Sequence, residues 1–156
     1  HLVGHSLGGI VLHHLFDRFP EQPPGRVVLL GAPVQGSGVA KKLSKNRLLN
    51  KLLGRSGQQG LLGSVPSWHA ERDLGVIAGV GGLGVGRFLG GLEGKNDGTV
   101  AVSETQIAQA TGYLELKASH MGLLFSRDVA KQTANFLCKG RFLDNSGDFG
   151  LQASKL

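Results

Sequence analysis

The 156 residues are 40% apolar and 18% charged with a mean hydropathy of zero, the profile of one folded domain and not of a disordered or membrane-spanning chain. Glycine reaches 26 residues without a G-x-y period, which excludes collagen and predicts many tight turns, while a single cysteine excludes an internal disulfide. A net charge of +6 and a pI near 9.8 allow an anionic partner such as a membrane surface, whereas 6% aromatic residues are too few for a nucleic-acid stacking platform.

Leu2-Val3 reads as the end of a buried strand, and Leu7 to Phe19 as a helix with apolar positions Leu7, Ile10, Val11, Leu15 and Phe19. Pro20, Pro23, Pro24 and Gly25 stop that helix. Arg26 to Leu30 follows as a short strand, apolar from Val27 onward and suited to a sheet covered on both faces. Ala40 to Arg55 is basic and amphipathic, with Leu43, Leu48, Leu49, Leu52 and Leu53 set among lysines and arginines. Leu74 to Ala78 is the next strand, and a glycine-dense loop runs from Gly79 to Gly94. Thr99 to Val102 reads as extended, Glu104 to Ala110 as helical, and Tyr113 to Lys117 as an alternating strand.

The last helix spans Phe125 to Leu137, with Phe125, Val129, Phe136 and Leu137 on its apolar face; Ser126 suits its N-cap and Asp128 its first turn. Cys138 is expected to be buried in that helix, and Trp68 to serve packing. Strands alternating with helices predict an α/β structure with a mostly parallel sheet. No repeat or linker divides residues 1–144, and residues 145–156 read as a flexible polar tail.

Gly4-His5-Ser6-Leu7-Gly8 is a G-x-S-x-G between a strand end and a helix start. A serine hydroxyl works as a nucleophile when a sharp turn holds it clear of the backbone beside a base, and small residues two positions either side let backbone crowd that corner. The helix amides beyond it face developing negative charge, with the Leu7 N–H as an oxyanion donor. Such a serine requires an acid and then a histidine, in that chain order. Asn96-Asp97-Gly98 and Ser119-His120-Met121-Gly122 supply them, each in a loop after a strand. Asn-Asp-Gly is also good turn chemistry in its own right. Asp17, Asp73, Asp144 and Asp148 fit the acid less well by placement or order. His5 flanks Ser6 and is a candidate for supporting its backbone or contacting substrate. The spacing of His1 and His5, or of His13 and His14, offers no carboxylate partner for a metal, so none is expected.

With these motifs in order, the sequence resembles the α/β-hydrolase superfamily, particularly bacterial lipase-like and esterase-like members carrying G-H-S-L-G-G, and is also similar to GPI inositol-deacylase-like hydrolases. The resemblance runs from Gly4 to about Leu137. It implies cleavage of carboxylic esters, most naturally lipidic ones, through an acyl-enzyme on Ser6 with His120 as base and Asp97 as its orienting acid. No cofactor is implied. It also implies a cap or lid insertion, placed here around residues 36–70, whose Leu48 and Leu52 could line an acyl pocket while lysines and arginines meet an anionic lipid surface.

One departure concerns the second oxyanion donor, which in that family comes from a strand before the elbow strand. The chain opens with His1 at a strand, so it is expected to be a C-terminal portion of a longer hydrolase, with impaired turnover by itself. Two other readings compete: a non-catalytic interaction module on the same fold, and a nucleotide-binding oxidoreductase. The latter rests on Gly79-Val80-Gly81-Gly82-Leu83-Gly84, a G-x-G-x-x-G after a strand, although the glycines that follow make a poor helix.

Overall fold

The computed structural model describes residues 1–37, 65–82 and 94–144. The basic segment with Leu48 and Leu52, most of the glycine-dense loop and the tail lie outside the described residues.

Four strands form one sheet in the order β1-β2-β3-β4: Leu2–His5, Val27–Leu30, Leu74–Gly79 and Gly112–Leu116. All pairings are parallel, with Leu2 opposite Val27, Val27 opposite Leu74, and Gly75 opposite Gly112. The expected α/β class therefore holds. Parallel strands need crossovers, and these place helices on both faces. Helix α1, Leu7–Arg18, connects β1 to β2; α2, Gly122–Phe125, and α3, Arg127–Lys139, follow β4.

The unbroken apolar run of β2 is explained by alternation. Val27 and Leu29 join a core with Leu12 and Phe16 of α1, Leu74, Val76 and Trp68, whereas Val28 and Leu30 join a second core with Ile77, Leu123, Val129 and Phe136. Trp68 is buried, as expected, with its ring edge-on to Phe16 and His13. The end of α3 is tied down by Arg26, whose guanidinium pairs with Asp73 at 2.7 Å and donates to the carbonyls of Leu137 and Cys138. Those carbonyls lack partners within the helix, and a cation there also suits the helix dipole.

Several local expectations need correction. The buried face of α1 is Gly9, Ile10, Leu12, His13 and Phe16, while Val11 and Phe19 are exposed. The segment expected to be helical from Glu104 to Ala110 holds only a 3-10 turn, Val102–Thr105, after which Gln106 is extended. The last helix is broken at Ser126, whose extended backbone ends α2 while its hydroxyl accepts from the Val129 amide and caps α3. Phe125 consequently leaves the α3 face and is 81% exposed. Cys138 is exposed, not buried. β1 is the edge of the described sheet, and Val3 is 48% exposed where a buried strand was expected.

Candidate active site

Ser6, Asp97 and His120 lie in the loops that follow β1, β3 and β4, at the carboxyl ends of the strands, where open α/β sheets place their ligands. Hydrogen bonds extend the ladder past the strand ends: Ser6 N–H to Leu30 O, Gly31 N–H to Ile77 O, Val80 N–H to Leu116 O and Gly81 N–H to Ala118 O. Four loop starts are thereby stitched side by side.

Ser6 is the non-glycine residue with a positive φ among the described residues, at φ 52 and ψ −121. That conformation costs an L-residue of order 1–3 kcal/mol and marks a position the surrounding structure over-determines. Its hydroxyl makes no capping bond to α1. The glycines around the turn divide their tasks differently from expectation. A side chain at Gly4 would meet the Gly9 backbone at 2.8 Å, and one at Gly9 would meet Ala32, but one at Gly8 would meet nothing. The close approach that shapes the elbow thus depends on Gly4 and Gly9, and Gly8 is sterically free. Leu7 opens α1 directly after Ser6.

Asp97 is 1% exposed and does two things at once. Its Oδ1 accepts from the amides of Thr99 and Val100 at 2.9 and 2.7 Å, closing the Asn-Asp-Gly turn, while the Asn96 side chain accepts from Gly98 N–H. Its Oδ2 accepts from His120 Nδ1–H at 2.7 Å. The two backbones are also joined, His120 N–H to Asp97 O at 2.9 Å. With Nδ1 carrying the proton for Asp97, a neutral His120 ring has Nε2 as its basic nitrogen. Gly31 lies under this pair at φ +52; a side chain there would stand 3.0 Å from Asp97 Oδ2 and 3.3 Å from His120 Nδ1. No sequence motif contained Gly31. The signal was a glycine directly after the most apolar strand.

His5 links the serine strand to this pair. Its Nε2–H donates to His120 O at 3.0 Å, and the two rings sit 4.6 Å apart at 41°. Burial lowers the proton affinity of the His5 ring, partly offset by the bond to the His120 carbonyl. Among the described residues this bond closes the junction between β1 and the histidine loop, and none runs from the Ser6 hydroxyl to the His120 ring. Ser6 is thus linked to the bonded Asp97–His120 pair through its neighbour His5.

Within the glycine run, Gly81 faces the histidine loop. A side chain at Gly81 would press on Ser119 N at 2.6 Å, so glycine there lets the histidine loop approach β3. Among the described residues no group of three or more His, Cys, Asp or Glu side chains is placed to hold a metal ion. The residues that follow Ser6 and His120 are apolar and accessible: Leu7, Met121, Leu124 and Phe125 are all exposed.

No protein-family model and no curated protein matches the chain. Among solved structures it is similar to a lipase of Bacillus licheniformis, BlEst2. The mature form is 21% identical with a TM-score of 0.60 over 88% of this chain, and the propeptide form is 21% identical with a TM-score of 0.59 over 96%. The chain spans 64% of the mature lipase and 38% of the propeptide form. At this identity the likeness is one of fold alone, a parallel sheet with flanking helices.

Proposed function

We propose that the chain is the core of a serine hydrolase that cleaves carboxylic esters with apolar, lipid-like acyl groups. The observation that carries this reading is the bond of 2.7 Å between buried Asp97 and His120, joined through His5 to a serine held at positive φ between strand and helix. A serine held in that conformation, a histidine whose tautomer is set by a buried acid, and a helix that starts directly after the serine are parts that acyl transfer uses, and they support this reading.

In this mechanism the Ser6 hydroxyl attacks the ester carbonyl as His120 Nε2 takes its proton, and the oxyanion faces the Leu7 amide at the start of α1. Collapse of that intermediate expels the alkoxide, which leaves as the alcohol with the proton from His120. Water then gives up a proton to His120 and attacks the acyl-Ser6 carbonyl, and collapse of this second intermediate releases the acid as His120 returns the proton to Ser6 Oγ. The distance from Ser6 to His120 is the contact that substrate closes, since catalytic hydrogen bonds tighten in the bound complex. Exposed Leu7, Met121, Leu124 and Phe125 support an apolar acyl group, because they offer it a surface beside the reacting atoms. The domain assignment of residues 1–144 with an insertion over the site at 36–70, and the contact of its basic face with anionic lipid, belong to the same proposal.

A fluorophosphonate probe together with turnover of a p-nitrophenyl ester tests the reading. Labelling and turnover of the wild type, both lost in Ser6→Ala, support it. Labelling that persists in Ser6→Ala removes Ser6 as the nucleophile, and a wild type that takes no label favours the non-catalytic module.

A further inference from the structure

We infer that His5 is a positioning residue: its ring clamps the backbone of the histidine loop to the strand that carries Ser6, and so sets the spacing of nucleophile and base. This rests on the hydrolase reading of Ser6, Asp97 and His120.

The backbone of residue 120 is held from two directions. Its N–H is fixed to Asp97 O at 2.9 Å and its carbonyl to His5 Nε2 at 3.0 Å. The first bond ties the histidine loop to the acid loop, and the second ties it to β1. His5 precedes Ser6 directly, so a single peptide separates the clamp from the elbow. The elbow has little freedom of its own, because Ser6 N–H is bonded to Leu30 O and Gly4 packs on the Gly9 backbone. Whatever fixes residue 120 against residue 5 therefore fixes it against residue 6.

Ring contact adds a lateral restraint, with the two imidazoles 4.6 Å apart. The same geometry argues against substrate contact, since the Nε2 that could bind an ester oxygen is already engaged. Burial lowers the proton affinity of the His5 ring, and bonding to a carbonyl selects the Nε2–H tautomer of the neutral ring. A 1 Å error in placing reacting groups can cost about 100-fold in rate, so a clamp of this kind is worth a measurable share of turnover.

Nitrogen NMR of histidine-labelled wild type reads the clamp directly: His5 is expected as the Nε2–H tautomer, and the Nδ1–H tautomer overturns the proposal, whether or not any variant folds. In the folded variants, His5→Phe keeps a ring without the donor and His5→Gln keeps a donor at similar reach. His5→Phe is expected to lower kcat by about 10–100-fold with KM nearly unchanged, and His5→Gln to recover most of it. A wild-type kcat in His5→Phe, or equal losses in both variants, overturns the clamp. The Nδ1 proton of His120, observed by proton NMR, separates this from the enzyme reading. It should broaden in His5→Phe and persist in His5→Gln even in a chain that turns over no ester. An unchanged signal in both variants counts against the clamp alone.

Discussion

Asp97 shares its carboxylate between two partners: Oδ1 builds the turn and Oδ2 holds His120. Turn chemistry and acid chemistry, competing readings of Asn-Asp-Gly in the sequence, are here one arrangement. Asp97→Asn should keep an acceptor for the turn yet present an amide to His120, disturbing its tautomer. Turnover is then expected to fall by about four orders of magnitude while the thermal midpoint moves little, as steady-state kinetics and calorimetry would record. A kcat within tenfold of wild type would remove Asp97 from the mechanism. The sequence exposed Ser6, Asp97 and His120 because each sits in a motif after a strand. Gly31 and the clamp role of His5 were hidden, since both depend on which loops lie side by side and no local pattern carries that.

Among the elements, the elbow helix is the sharpest case. Gly9, Ile10, Leu12, His13 and Phe16 form its buried stripe, which an apolar count reads only in part because two of the five are a glycine and a histidine. Here the polar residue is accommodated by a specific bond, His13 Nδ1–H to Pro66 O at 2.9 Å. Gly8→Ala is expected to raise stability by about 0.5–1 kcal/mol, since nothing lies in its way and alanine is the better helix former. Gly9→Ala should destabilise, because its new methyl meets Ala32. Urea denaturation of the two variants checks the contrast, and equal effects would mean that the elbow is looser than described. The break at Ser126 was half legible: its capping chemistry was readable, but a residue that ends one short helix while starting the next looks continuous in a hydrophobic pattern.

On the scale of the whole molecule, one sheet separates two cores, and Phe136 anchors the one under α3. It is fully buried, with its ring against Gly75 of β3 and Gly112 of β4. Phe136→Ala should cost about 3–5 kcal/mol, measured by chemical denaturation, because neither glycine can move in to fill the space. Stability should also depend on pH. His5 and His13 both have their proton affinity lowered chiefly by burial, opposed in each case by a bond to a backbone carbonyl. Below about 6.5 the unfolded chain takes up protons that the folded one refuses. Stability contributed by these neutral rings is therefore complete above pH 6.5 and declines as pH drops through their folded values. Thermal midpoints at pH 7.5 and 5.5 should differ in that direction, and the difference should shrink in His13→Gln. The parallel sheet was legible in the alternation of strands and helices, whereas the order β1-β2-β3-β4 is known only from the structure.

Ser6 holds a shape that its own chemistry resists. Glycine could adopt the same angles without the penalty, so a Ser6→Gly variant should melt at a higher temperature than the parent while reacting with nothing. The corner is a spring kept compressed for the hydroxyl it presents, and a descendant relieved of the reaction would relax it first.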